Sequence, residues 1–258
     1  MKLTLKASHL KYLILEAGGL GLVLRLALYA TGIDGRGLLV EGHWASIALW
    51  GLTFLVAAAI FLFTRTLDGP TDHETAYPVS FQGAIGAFTA MLGIAVTSVS
   101  EFSEFSSSIH LIVWVLGICS AVSFGCVGVL RLTGGKSHPL LHALPCIYFA
   151  LRMVSRYQLW SSDPQLQDYC YYLLAYVALM LTAYHHAAFD ANMGCHRSLW
   201  RLGLASVYLC TLSLSSNMDT LLLLGCGAWA FTNLTNLTSC PCRQSLALTP
   251  EENSRQEE

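Results

Sequence analysis

Eight runs of mostly apolar residues, each about as long as a lipid bilayer is thick, divide this sequence. A helix needs about 20 residues to cross the hydrocarbon core, because it rises about 1.5 Å per residue. The runs are continuous and do not alternate between apolar and polar residues, which predicts helices rather than the strands of a membrane barrel. The predicted spans are 12–30, 44–63, 81–100, 109–130, 139–156, 169–189, 199–215 and 219–235.

The composition agrees with a chain that folds in lipid. Hydrophobic residues make up 54% of the 258 residues and charged residues only 12%, whereas a soluble domain carries about 25% charged residues. The predicted fold is an all-α, polytopic integral membrane bundle of about eight transmembrane helices. Residues 1–238 are predicted to form its single domain, and the polar stretch 239–258 a disordered cytoplasmic tail. The net charge of −2 does not indicate nucleic-acid binding.

The lysines and arginines predict the orientation, because positive residues collect in the cytoplasmic loops of membrane proteins. An N-terminus on the inside places ten of them inside and three outside, and eight spans then put both termini in the cytoplasm, at a plasma or inner membrane. Leaving out the fifth span, which Pro145 interrupts, gives a weaker bias of eight against five. The ten are Lys2, Lys6, Lys11, Arg65, Arg131, Lys136, Arg197, Arg201, Arg243 and Arg255, and the three are Arg36, Arg152 and Arg156.

Histidines and an aspartate collect at the predicted cytoplasmic ends of the fifth and sixth spans. In a hairpin of these two spans, His138, His142, His185 and His186 lie at about one depth. His186 and Asp190 are one helical turn apart, a spacing at which a carboxylate can orient an imidazole. The sharper hypothesis is that His142, His186 and Asp190 hold a transition metal or relay a proton. The alternative is that the histidines only cap helix ends, since the chain has no compact metal motif such as HExxH. No other cofactor is implied.

Charged residues inside the spans are candidates for a ligand or ion pathway, because they are costly in hydrocarbon. Glu16 stands about 7.5 Å beyond Lys11 along the first helix. Arg25, Arg152 and Arg156 lie nearer the outer face and suit a carboxylate, a phosphate or a lipid headgroup. The alternative is internal pairing combined with snorkelling of the arginines towards the interface. The acids available for such pairing are Glu101, Glu104, Asp163 and Asp168.

The segment TGGKS at 133–137 contains part of a phosphate-loop pattern. The pattern also requires a glycine at position 130, where this chain has leucine. The segment is therefore interpreted as a flexible basic turn on the cytoplasmic side.

Three hypotheses about function remain. The first is a protein that binds or translocates a small molecule or ion, with Glu16 or Arg25 bordering a mid-membrane cavity. The second is an intramembrane enzyme or redox protein that uses His142, His186, Asp190 and Glu16. The third is an accessory subunit whose partners, besides the lipid bilayer, are other membrane proteins. Small residues of the third span are interpreted as a helix-packing seam: Gly83, Gly86, Ala87, Ala90 and Gly93.

Overall fold

The fold of the described residues is all-α, and within them the only β feature is an isolated bridge between Ile33 and Leu39. The computed structural model describes residues 7–33, 39–40, 42–65, 67, 76–101, 108–161, 166–215 and 219–237. Its helices are α1 (Ala7–Thr31), α2 (Trp44–Thr64), α3 (Phe81–Ser100), α4 (Ser108–Thr133), α5 (Leu140–Trp160), α6 (Leu166–Asp190), α7 (His196–Leu212) and α8 (Thr220–Asn236). A 3₁₀ turn, Ser213–Ser215, extends α7.

These helices coincide with the eight predicted spans, and five of them are long and apolar enough to cross a membrane. The five segments are His9–Thr31, Trp44–Thr64, Phe81–Ser100, Ile109–Thr133 and Tyr169–Asp190. The chain is thus a multi-pass membrane protein with a helical-bundle fold. The other three helices are α5, whose apolar sequence contains Arg152 and Arg156, and α7 and α8, which have 17 residues each. The predicted tail lies outside the described residues.

Helices α3 to α8 pack in a closed ring. Each packs against the next, and α8 returns to pack against α3. Helices α1 and α2 pack against each other and against α7, outside the ring. We call the end of the bundle where α1 begins the near end, which is the end predicted to be cytoplasmic, and the opposite end the far end. The fully buried side chains of Phe124, Tyr148 and Trp229 fill the ring interior between the two ends.

Helices α3 and α8 approach each other so closely that glycine is required at their contact. A Cβ atom at Gly225 would lie 2.4 Å from the carbonyl oxygen of Thr89, and one at Gly93 would lie 2.5 Å from that of Leu221. These neighbours are backbone atoms, which cannot rotate away as a side chain does. The predicted small-residue seam of the third span is confirmed, because all five of its members are buried, as expected where backbones pack closely.

Helix α5 continues through Pro145, the residue expected to weaken the fifth span. Proline removes one backbone hydrogen bond, and membrane helices tolerate this where neighbouring groups compensate. The buried face of α5 carries His142, Pro145, Tyr148 and Arg152 in sequence. By the helical rise, His142 and Arg152 stand about 15 Å apart. This one helix therefore contributes to both ends of the ring.

The predicted orientation is testable through Cys195, an exposed free cysteine between α6 and α7. Its sulfur accepts a hydrogen bond from the Ser198 hydroxyl at 3.3 Å, which lowers the pKa of the Cys195 thiol. More thiolate means faster alkylation. With Cys240 and Cys242 replaced by serine, an impermeant maleimide is expected to label Cys195 in inverted vesicles and to leave it unmodified in intact cells. Labelling should slow in Ser198→Ala, and rapid labelling of intact cells would reverse the assigned orientation.

Candidate functional site

A buried hydrogen-bonded chain joins Ser137, Asp190 and His142 at the near end. Asp190 is the last residue of α6, and its Oδ2 lies 2.6 Å from Nδ1 of His142 on α5. The Ser137 hydroxyl, just before α5, donates to the other carboxylate oxygen of Asp190. All three residues are buried. The Nε2 atom of His142 has no hydrogen-bond partner among the described residues. The arrangement suits proton transfer, because each group can donate or accept a proton.

Aromatic rings surround the His142 side of this chain. The rings of His142 and His186 stack with centroids 5.2 Å apart and planes 22° apart. Trp229 lies 5.0 Å from the His186 ring and 6.2 Å from the His142 ring, while Tyr77 lies 5.5 Å from His186. An imidazole binds a metal in its own plane, so two nearly parallel rings direct their lone pairs side by side rather than towards one point.

The structure brings together the three residues predicted to form a metal or proton site. The carboxylate of Asp190 on α6 bonds to Nδ1 of His142 on α5, a contact between two helices that pack against each other. In the part of the chain that is described, no three His, Cys, Asp or Glu side chains form a group placed to hold a metal ion. The transition metal stays a prediction, and metal analysis of the purified protein tests it.

The other two histidines lie outside this cluster. His185 is half-buried, and its ring lies beside Tyr184, with 5.5 Å between centroids. His138 is exposed, and its Nδ1 accepts from the backbone N–H of Leu140 at the start of α5. These two side chains therefore behave as the helix-end residues of the alternative interpretation.

A cavity of about 370 Å³ opens at the near end beside the hydrogen-bonded chain. Arg131, in the last turn of α4, is buried in its wall, and its guanidinium carbon lies 4.1 Å from the centroid of the Tyr77 ring. The Nη2 atom of Arg131 has no hydrogen-bond partner within the described residues. Burial raises the pKa of Tyr77 far above its ordinary value, although Arg131 opposes the shift. The Tyr77 hydroxyl is thus neutral at physiological pH.

The TGGKS segment forms another wall of this cavity and has a defined conformation. Gly134, with a φ of 72°, and Gly135 donate their backbone N–H groups to the Leu130 carbonyl and so cap α4. A left-handed residue of this kind commonly ends a helix, and glycine adopts it without a steric cost. Lys136 and Ser137 then line the cavity. The segment therefore caps α4, and its expected flexibility stays a prediction.

At the far end, two arginines of α5 bind two carboxylates in a closed network. Arg152 pairs with Glu101, at 2.7 Å from Nη2 to Oε1, and with Asp219 at 2.5 Å. Arg156 pairs with Glu101 at 2.7 Å and with Asp219 at 2.9 and 3.0 Å. The Tyr176 hydroxyl donates to Asp219 at 2.5 Å. Nη1 of Arg152 donates to Oε2 of Glu101. Every carboxylate oxygen of the two acids therefore accepts a hydrogen bond, and the two positive charges balance the two negative ones.

This network corresponds to the internal pairing considered for Arg152 and Arg156. Glu101 was among the expected acids, whereas Asp219, just before α8, was not. Glu104 and Asp163, and the side chain of Asp168, lie outside what the structure describes. The negative charge of Asp219 could have identified it as a partner, because the predicted topology places this aspartate on the same side as both arginines.

Arg25 and Glu16, the remaining pathway candidates, lie outside the helix ring. Arg25 is buried where α1 meets α6, with its guanidinium carbon 5.5 and 5.6 Å from the ring centroids of Tyr172 and Tyr171. Its Nη1 donates to the Leu212 carbonyl oxygen at 3.4 Å. Glu16 lies on the exposed face of α1. Neither residue borders the near-end cavity.

The two clusters of ionisable residues differ in what they leave open. Each has a buried arginine nitrogen without a hydrogen-bond partner among the described residues, Nε of Arg152 at the far end and Nη2 of Arg131 at the near end. The far-end arginines pair with two carboxylates beside a cavity of only about 80 Å³, whereas Arg131 lies in the wall of the cavity of about 370 Å³. Comparison of the chain with protein-family models, with curated proteins and with solved structures finds no match. The near-end cavity is the candidate binding site.

Proposed function

We propose that this membrane protein, at a plasma or inner membrane, binds a small anionic molecule in the near-end cavity and exchanges a proton through Ser137, Asp190 and His142. The observation that supports the proposal is the Nη2 atom of Arg131. It belongs to a buried guanidinium in the cavity wall and has no hydrogen-bond partner among the described residues. A buried donor without an acceptor is costly, and a bound oxyanion removes that cost.

The chemistry of the cavity walls favours an anion. A guanidinium forms paired hydrogen bonds with carboxylates and phosphates. The Tyr77 ring holds the Arg131 guanidinium in place through a cation–π contact. Lys136 adds a second positive charge at the exposed side of the cavity. A carboxylate or phosphate-bearing molecule small enough for about 370 Å³ is the class of ligand that these groups select.

The position of Ser137 supports coupling between ligand and proton. Its side chain lines the cavity and donates to Asp190, which in turn bonds to His142. A charge change at His142 therefore reaches the cavity through two hydrogen bonds. Passage of a ligand through the ring would additionally require Trp229, Phe124 and Tyr148 to move, because they fill the interior between the two ends. Binding at the near end is therefore the first step to test.

Arg131→Gln is expected to remove anion binding. The neutral amide keeps a hydrogen-bond donor and loses the charge, so affinity should fall by about tenfold or more. The measurement is the thermal midpoint of the detergent-purified protein with and without acetate, succinate, sulfate and inorganic phosphate. At least one of these should raise the midpoint of the wild type and leave that of Arg131→Gln unchanged.

A matched control is Arg197→Gln, which removes a half-buried arginine that does not line the cavity. It should keep the wild-type response to each anion. Arg131→Lys, which retains the charge without the planar fork, should bind more weakly than the wild type and more tightly than Arg131→Gln. If every anion acted equally on the wild type and on Arg131→Gln, the proposal would be rejected.

A further inference from the structure

An apolar groove runs along the outside of the helix ring, between α2 and α7. Its volume is about 330 Å³, and its lining is almost entirely apolar. By the helical rise, the lining from Thr53 to Phe61 extends along α2 for about 12 Å. The hydroxyl groups of Thr53 and Tyr208, at its far-end limit, satisfy each other at 3.0 Å. Side chains that line it include Val56, Ile60, Phe61, Leu202, Ala205 and Leu209.

Two guanidinium groups stand at the near-end limit of this groove. The Nε atom of Arg201 donates to the Thr64 hydroxyl at 2.9 Å, and its guanidinium carbon lies 4.8 Å from the centroid of the Phe61 ring. Arg65 contacts the same ring, with 5.6 Å between its guanidinium carbon and the centroid. Thr64 is the last residue of a segment apolar enough to span the membrane. The two positive charges therefore lie where the apolar layer along α2 ends.

We infer that the groove binds one acyl chain of an anionic phospholipid whose headgroup phosphate contacts Arg65 and Arg201. Charge complementarity supports a lipid as the occupant, because anionic headgroups attract arginines at the membrane boundary. The hydrocarbon of an acyl chain matches the apolar lining of the groove. A free phosphate would contact only the arginines at the near end of the groove. Helix α7 separates the groove from the ring interior, so the lipid site is independent of the anion proposed for the near-end cavity.

The inference is tested by adding phosphatidylglycerol or phosphatidylcholine, with identical acyl chains, to the detergent-purified full-length protein. Bound lipid is counted by native mass spectrometry. We expect phosphatidylglycerol to bind about 25-fold more tightly than phosphatidylcholine, since each of the two arginines near the anionic headgroup contributes on the order of a fivefold preference. In the double variant Arg65→Gln/Arg201→Gln the two lipids should bind equally. Arg197→Gln, which removes an arginine that does not line the groove, should behave as the wild type.

Variants that fill the groove test the acyl-chain part of the inference. Ala205→Phe is expected to weaken binding of both lipids, and Ala57→Phe on the opposite wall repeats the test if Ala205→Phe does not fold. Glycerol 3-phosphate, the soluble headgroup analogue, should not displace bound phosphatidylglycerol at equal concentration. Equal binding of the two lipids to the wild type would overturn the inference, as would retention of the phosphatidylglycerol preference in the double arginine variant. Displacement by glycerol 3-phosphate would show a phosphate site without a lipid chain.

Discussion

Asp219→Asn is expected to lower the thermal midpoint of the detergent-purified protein by about 10 °C. The substitution leaves the guanidinium groups of Arg152 and Arg156 with Glu101 as their only remaining charged partner in the network. Removing one partner of a buried ion pair costs about 3–5 kcal/mol, because the other charge stays buried without compensation. For a chain of this size each kcal/mol shifts the midpoint by about 2–4 °C. Scanning fluorimetry measures the change directly.

Asparagine is the appropriate replacement because Asp219 has a φ of 56°. Asparagine and aspartate tolerate this left-handed conformation better than most residues, so the variant changes the charge and keeps the backbone. Glu16→Gln is the matched control, since it neutralises an exposed carboxylate and should leave the midpoint within about 1 °C of the wild type.

A second variant isolates the electrostatic cause. Arg152→Met combined with Asp219→Asn leaves Glu101 and Arg156 as a balanced pair, so the double variant should be more stable than Asp219→Asn alone. If it were instead less stable by the sum of the two single changes, the ion network would not be what stabilises the far end.

Asp190→Asn is expected to abolish the proton exchange that accompanies anion binding. The carboxylate accepts from His142 and Ser137, and an amide in its place cannot balance a positive charge on the imidazole. The measurement is the calorimetric heat of succinate or sulfate binding at one pH in two buffers that differ in ionisation enthalpy. The wild type should give a buffer-dependent heat, from which the number of protons exchanged follows, and Asp190→Asn should give the same heat in both buffers.

The neighbouring histidines provide the control for this experiment. His142→Gln should resemble Asp190→Asn, whereas His185→Gln, one position from the cluster along α6, should exchange as many protons as the wild type. Anion binding that stayed buffer-dependent in both Asp190→Asn and His142→Gln would disprove the relay and leave the role of Arg131 intact. The two parts of the proposed function are thus tested separately.

The sequence was sufficient to predict the helices because a chain that crosses lipid must form its backbone hydrogen bonds within each span. A helix needs about 20 apolar residues to cross lipid. The run predicted at 81–100 has this length, and the helix observed there has the predicted bounds. The meeting of His142 with Asp190 also followed from a short connection between two antiparallel helices. The hydrogen bond between His142 and Asp190 did not follow from the spacing of residues within α6, because it also depends on the rotation of α5 about its own axis.

Residues that join a site across distant segments were the hardest to predict. Tyr77 and Trp229 reach the near-end cluster from separate parts of the chain, and Arg131 was considered only as a charge that sets orientation. The transport hypothesis placed Glu16 or Arg25 beside a cavity, yet α1 has apolar residues on every side and its sequence does not indicate which face turns inward. In lipid a leucine that faces outward carries no energetic cost. The periodicity of apolar residues therefore does not show which face of a helix is buried, as it does in soluble proteins.

The glycine contacts between α3 and α8 determine which parts of this molecule are able to shift. Their backbones touch at Gly93 and Gly225, without intervening side chains that could rearrange, so we expect the two helices to move together as one rigid unit. If a ligand in the near-end cavity triggers a rearrangement, the helices that move are then those on the other side of the ring, α5 and α6. Cross-links placed between α3 and α8 should be harmless to the working protein, and those between α5 and α6 should arrest it.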